Sequence, residues 1–247
     1  MDDLYNNLGL QDQNCLNHYN DNRRGVNLMT RDLFFNELRE MNNTVISMGN
    51  LTIEAIDKSI QALVEQDKKI AKEVIEGDEA IDRLEELITA KGMHLLLTQQ
   101  PVSSDFKEIL AIIKMVIDME RIADQASDIA KLSINFNSPF LKKIEHIPMM
   151  NEIAQKMVRN ALKAFVEKDQ EMAIKTIQED DILDDLYQIV RKELISLIPN
   201  SNESNSEQIA DLLIIAKYLE RIGDHATNIC EWIIFSNTGV HKRSKLL

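Results

Sequence analysis

An all-α fold, arranged as two tandem three-helix bundles related by a pseudo-twofold axis, is what this 247-residue chain predicts. Three observations carry that expectation. Seven Gly, four Pro and 5% aromatic residues, against frequent Leu, Ile, Ala, Glu and Lys, suit long helices better than a turn-rich sheet protein. Apolar residues recur at three- and four-residue intervals along most of the chain. The second half also repeats the order of the first. At an offset of 102, Ala62-Leu63-Val64-Glu65-Gln66-Asp67 matches Ala164-Phe165-Val166-Glu167-Lys168-Asp169, and Asp78, Asp82 and Leu84 match Asp180, Asp184 and Leu186. At an offset of 100, Glu120-Arg121-Ile122-Ala123-Asp124 matches Glu220-Arg221-Ile222-Gly223-Asp224. A repeat of about 100 residues is too long for a solenoid unit, so each copy is expected to be a bundle of three long helices.

Residues 1–30, Asn-rich and without apolar periodicity, are expected to form a mobile N-terminal extension without assigned chemistry. The first repeat spans 31–138. Its first helix starts from a Thr30 cap and carries Leu33, Phe34, Leu38, Met41, Val45, Met48, Ile56 and Leu63 at helical spacing. A turn at Gln66-Asp67 leads to a second helix through Ile70, Val74, Ile81, Ile88 and Leu95, which ends before Pro101 because proline disfavours helix at the residue before it. Ser103 or Ser104 caps a third helix running from about Asp105 to Asn135. A link from Ser138-Pro139 to Pro148 precedes the second repeat, at 148–237.

The formal charge of -13 argues against a nucleic-acid surface, which needs clustered Lys and Arg, and favours cations or a basic partner. Cys15 and Cys230 form neither a metal-ligand spacing nor a disulfide framework, which points to a reducing compartment. The acidic start lacks a signal-peptide pattern, and no run approaches roughly 18 uninterrupted apolar residues. The expectation is a cytoplasmic protein that meets the membrane only through partners.

The most informative residues are acids. Asp78 and Asp82 precede Pro101 by 23 and 19 residues, and Glu120 and Asp124 follow it by 19 and 23. The construction recurs about Asn202, with Asp180 and Asp184 before it by 22 and 18 and Glu220 and Asp224 after it by 18 and 22. Two helices folded back at each loop would bring these acids level, and acids four apart share one face, about 6 Å apart along the axis. Each hairpin would then gather four carboxylates into one patch. Glu120 and Asp124 also continue the apolar stripe of Ile109, Ile113, Val116 and Ile117, and Glu220 and Asp224 stand beside Ile209, Leu213 and Ala216. A carboxylate turned towards an apolar seam is costly unless its charge is compensated.

Acids four residues apart arise on any solvated helix, and 41 residues here are Asp or Glu. Matched, mirrored doubling shifts the reading to a cation site. Oxygen ligands favour hard cations such as Mg²⁺, Mn²⁺ or iron over a thiolate- and imidazole-bound Zn²⁺. Asp128 and Asn228, one turn further along the same face, can extend the site, and Glu231 lies near it. Arg121 and Arg221 flank the acids as surface ion-pair partners or as holders of a carboxylate. His225 falls outside the acid sector and is left out of the site.

The run Leu219-Glu220-Arg221-Ile222-Gly223-Asp224-His225-Ala226-Thr227-Asn228-Ile229-Cys230-Glu231 resembles the signature of the PhoU family of phosphate-uptake regulators. Met119-Glu120-Arg121-Ile122-Ala123-Asp124 resembles a weaker first copy, and Gln100-Pro101-Val102-Ser103-Ser104-Asp105 the turn before that family's third helix. The resemblance covers about residues 31–237. It implies metal ions, iron first with Mg, Mn or Zn as alternatives and multinuclear clusters in some members, at Asp78, Asp82, Glu120, Asp124, Asp180, Asp184, Glu220 and Asp224. It also implies a non-enzymatic negative regulator of the phosphate-starvation response, coupling the ATPase of a phosphate ABC transporter to a phosphate-sensing histidine kinase. A homodimer is compatible with this. The Asn-rich extension, Ala123 in place of glycine, and Asn228 in place of Asp128 depart from the pattern, and the last makes unequal metal occupancy of the two copies the expectation.

Two other functions compete. A di-iron carboxylate enzyme on a helical bundle would use Glu-x-x-His pairs, but the residues three before His18, His94, His146, His225 and His241 are Cys15, Lys91, Lys143, Ile222 and Thr238. A metal-free helical adaptor would use the same acids in solvated ion-pair networks.

Overall fold

The computed structural model describes residues 13–99, 101–136, 146–200 and 203–241, with the side chains of 13–30 and 200 outside the description. Among the described residues there is no strand. Six α-helices follow one another: α1 (Gln13–Glu65), α2 (Lys68–Thr98), α3 (Ser103–Ser133), α4 (His146–Glu167), α5 (Gln170–Leu197) and α6 (Glu203–Thr238), with a 3₁₀ turn at Ile198–Asn200. The all-α expectation holds. None of these helices is long and apolar enough to cross a membrane.

Three boundaries differ from the sequence expectation. The first helix begins at Gln13, well before Thr30, because no proline interrupts residues 13–65 and Gly25 costs only about 1 kcal/mol in a helix interior. The expected extension thus lies within α1 from Gln13 on, while residues 1–12 fall outside the described residues. The cap of α3 is Val102, which offers no side-chain hydrogen bond, so Ser103 and Ser104 sit inside the first turn. Helix α4 starts at His146, and Pro148 occupies its first turn, where a missing N–H costs nothing. The rest of the expected link, 138–145, is outside the described residues.

The chain falls into two compact units, Met1–Glu40 and Met41–Leu247. Within the first, the Phe34 and Phe35 rings meet edge to face at 5.6 Å and the Arg31 guanidinium lies 5.5 Å over Phe35. The second unit holds both bundles. In its first bundle, Ala62 of α1, Ala71 and Val74 of α2 and Ala130 of α3 form one buried cluster. Small side chains at this end bring the three helices close. In the second bundle α4, α5 and α6 pack against one another.

Both corners after the first helix are built alike. Gln66 and Lys168 take left-handed φ of 56° and 53°, and the next N–H returns to the preceding helix, from Asp67 to the Ala62 carbonyl at 3.1 Å and from Asp169 to the Ala164 carbonyl at 2.9 Å. Those aspartates then cap the following helices: Asp67 Oδ1 accepts from the Lys69 and Ile70 amides, and Asp169 Oδ1 from Met172. Each aspartate therefore ends one helix and starts the next.

The bundles join through equivalent helices, as a pseudo-twofold requires. Helix α3 packs along α6, and α1 meets α4, where Gln155 Nε2 donates to Asp57 Oδ1 at 3.0 Å. On the α3–α6 seam, Asp118 Oδ1 takes hydrogen bonds from His225 Nδ1 at 2.8 Å and Asn228 Nδ2 at 3.1 Å. At its other end Tyr218 hydrogen-bonds Asp128, raising the phenol pKa after burial has done the larger part. Residues early in one helix thus meet residues late in the other, so the seam is antiparallel.

Candidate metal centres

The hairpin α2–α3 brings together the first four acids. Burial holds Asp78, Asp82 and Glu120 above the usual carboxylate range, and the charges of neighbouring acids add to it: Asp82 and Asp124 act on Asp78, Asp124 on Asp82, and Asp124 with Asp82 on Glu120. Arg121 is the resident counter-charge, with Nε 3.3 Å from Glu120 Oε2 and Nη1 3.2 Å from Asp124 Oδ2. The guanidinium therefore spans both acids of the motif on one helix.

The hairpin α5–α6 repeats the patch. Burial first, then the charges of Asp224 and Asp184, push the Asp180 carboxyl up to about 6. Asp184 and Asp224 are also raised, by burial and by Glu220. The counter-charge here is Lys217, paired with Glu220 one turn away and 5.3 Å from the centre of the Tyr187 ring. Gly223 makes the closeness possible, since a Cβ there would stand 2.5 Å from Leu183 Cδ2 and 2.9 Å from Asp180 Oδ1. Ala123 fills the equivalent position in α3.

An implied metal can be tested against these residues. Asp180 Oδ1 is buried and accepts no hydrogen bond. The Thr227 hydroxyl opposes part of the rise in its pKa without reaching hydrogen-bonding geometry. Ser127, at the matching place in α3, stands in the same relation to Asp78. A buried, unshared carboxylate oxygen among like charges is a donor of the kind a hard cation takes. Among the described residues no three His, Cys, Asp or Glu side chains converge as a finished ligand set, so binding requires the carboxylates to turn inward. With that adjustment the residues fit a hard cation.

Asp128 and Asn228 are engaged elsewhere. Asp128 pairs with Lys131 at 2.8 Å and with Tyr218, and Asn228 donates to Asp118. Both serve the α3–α6 seam. Glu231, 8% exposed, lies 3.8 Å from His241 Nε2. Sequence reasoning passed over Lys217, although its three-residue spacing to Glu220 was readable. It also passed over Asp118 and His225, whose meeting depends on the seam and has no local signal.

The PhoU domain family model matches residues 45–133 and again 147–233, more than half of the chain. The phosphate-specific transport system accessory protein PhoU homolog of Clostridium acetobutylicum is 34% identical over 213 residues, which is 85% of this chain and 97% of that protein. Its namesake in Aquifex aeolicus is 37% identical over 188 residues, 76% of this chain and 85% of that one. The crystal structure of PhoU from Pseudomonas aeruginosa superposes with a TM-score of 0.78 at 31% identity, covering 84% of this chain and all of its own. That of the phosphate transport system regulatory protein PhoU from Streptococcus pneumoniae gives 0.76 at 28%, covering 84% and 98%. Duplicated bundles, repeated acid hairpins and these likenesses agree, and the chain belongs to the PhoU family.

Proposed function

We propose that this chain is a cytoplasmic, non-enzymatic regulator of phosphate uptake that binds metal at two acid-lined hairpins. Those surfaces are presented to the ATPase of a phosphate ABC transporter and to a phosphate-sensing histidine kinase, and the outcome is negative control of the phosphate-starvation response. The observation that carries the reading is the pair of pseudo-symmetric patches of four acids, in each of which three carboxyl pKa values are raised. Asp78, Asp82, Glu120 and Asp124 would hold cations in one patch, and Asp180, Asp184, Glu220 and Asp224 in the other. A bound ion supplies the positive charge that lets these carboxylates ionise together. Arg121 and Lys217 steady the acids meanwhile, and both would have to yield a carboxylate oxygen to the ion. The relatives' names, an accessory protein of a phosphate-specific transport system and a phosphate transport system regulatory protein, support the assignment of pathway.

The test uses full-length protein purified without an affinity tag, measured by elemental analysis and by co-purification with the transporter's ATPase subunit. Metal is expected in the native protein. Joint alanine replacement of Glu120, Asp124, Glu220 and Asp224 should abolish the metal and weaken ATPase binding at least tenfold. Native protein without metal, together with unchanged binding by the quadruple variant, would leave the metal-free adaptor as the better description.

A further inference from the structure

Buried hydroxyls elsewhere in these helices turn back on their own backbone. Thr52, Ser59, Ser133 and Thr176 donate to the carbonyls of Met48, Ile56, Ala130 and Met172 at 3.0, 2.8, 2.7 and 2.9 Å, which offsets the cost of taking a hydroxyl out of water. Ser127 and Thr227 behave differently. Ser127 is 1% exposed, the Thr227 oxygen is likewise shut away from solvent, and neither hydroxyl has a hydrogen-bond partner among the described residues. Neither turns to the carbonyl four residues back, that of Ala123 or Gly223. A buried hydroxyl left unpaired is costly.

The two exceptions occupy equivalent places. Ser127 follows Glu120 by seven residues and Asp124 by three, and Thr227 follows Glu220 and Asp224 by the same steps, so each hydroxyl lies on the stripe that carries the acids. Across the second hairpin, Asp180 Oδ1 lies against Gly223, one turn before Thr227. Each hydroxyl also favours the charged form of the aspartate opposite, Asp78 for Ser127 and Asp180 for Thr227, as a nearby donor does. The repeat keeps the hydroxyl and changes the side chain that bears it, serine in one copy and threonine in the other. What the two places share is an oxygen rather than a volume.

We propose that Ser127 and Thr227 are positioning residues of the two metal centres, donating to Asp78 and Asp180 respectively when those carboxylates turn inward. This rests on the metal reading above and adds to each patch a residue that carries no charge. A carboxylate that gives one oxygen to a cation keeps a second oxygen to be satisfied, and a hydroxyl on the facing helix satisfies it. The donation fixes which oxygen faces the ion and favours the ionised group. Both hydroxyls are held off the backbone, and so stay available for that bond.

The probe is Mn²⁺ alone, titrated into the full chain while the free ion is counted by its electron paramagnetic resonance signal. The unsubstituted chain is expected to bind it. Ser127→Ala together with Thr227→Val removes both hydroxyls at nearly constant shape and should weaken Mn²⁺ binding about 10–100-fold, whereas Thr227→Ser, which keeps the oxygen and loses only a methyl group, should bind as the unsubstituted chain does. Stability should not follow affinity. In chelator the double variant should unfold within about 2 °C of its parent, because a hydroxyl without a partner has no bond to lose. Unchanged Mn²⁺ affinity in the double variant, or a tenfold loss in Thr227→Ser, would overturn the proposal and leave the metal reading standing. A double variant that unfolds markedly earlier in chelator would also overturn it, since the hydroxyls would then be serving the fold. An unsubstituted chain that binds no Mn²⁺ would count against the hard-cation site itself and overturn both.

Discussion

Replacing Asp180 by asparagine should stabilise the metal-free protein. In the fold this carboxyl is raised from 3.8 to about 6, so its ionised form is disfavoured relative to the unfolded chain. The favourable contribution of the protonated group is complete below about pH 4 and is lost as the pH rises through about 6. At neutral pH the charged group is then a liability. A rise of that size corresponds to about 3 kcal/mol at most, and a partly exposed group among other acids retains about 1–2 kcal/mol of that after solvent screening. The asparagine amide keeps the shape and removes the charge. In chelator, the variant should unfold about 2–6 °C higher than the parent at neutral pH, with the difference vanishing as the pH falls towards 4. Divalent metal should reverse the order, because the parent gains binding energy that the variant lacks. Thermal unfolding followed by circular dichroism, with and without chelator at several pH values, gives all of these. A variant less stable than its parent in chelator at neutral pH would refute the reasoning, since Asp180 would then be making a favourable native contact.

Gly223→Ala should cost about 1–3 kcal/mol through overpacking against Leu183 and Asp180, while Gly77→Ala, whose added Cβ meets nothing within 4 Å, should gain about 0.5–1 kcal/mol. Urea denaturation of the two variants side by side checks the contrast, and equal effects would contradict the close approach of α5 and α6. Joint replacement of His225 and Asn228 by alanine strips Asp118 of two partners across the α3–α6 seam and should lower stability by about 1–3 kcal/mol. A change below about 0.5 kcal/mol in the same urea measurement would mean that the seam is held by its apolar contacts alone.

Much of this architecture was legible in the order of residues. The offset repeat announced two like bundles, and the mirrored acids announced that α2–α3 and α5–α6 fold back at matching heights, because helical rise is constant and a hairpin preserves distance from its loop. The start of α1 was not legible. An Asn-rich stretch has weak helix propensity and no apolar period, yet it continues a helix that nothing breaks. The Val102 cap was missed for a related reason: a serine near a helix start signals a cap, but backbone geometry decides which residue occupies it.

The chain by itself determined the helical class, the duplication and the eight hairpin acids, since each depends on spacing within or across one loop. Tertiary structure alone decided that Asp128 and Asn228 serve the seam between bundles. It also decided that Asp180 Oδ1 lies against Gly223, buried and without a hydrogen-bond partner. These outcomes turn on how far apart two packed helices lie and how they are rotated, quantities fixed by the whole core, to which no local run of residues has access.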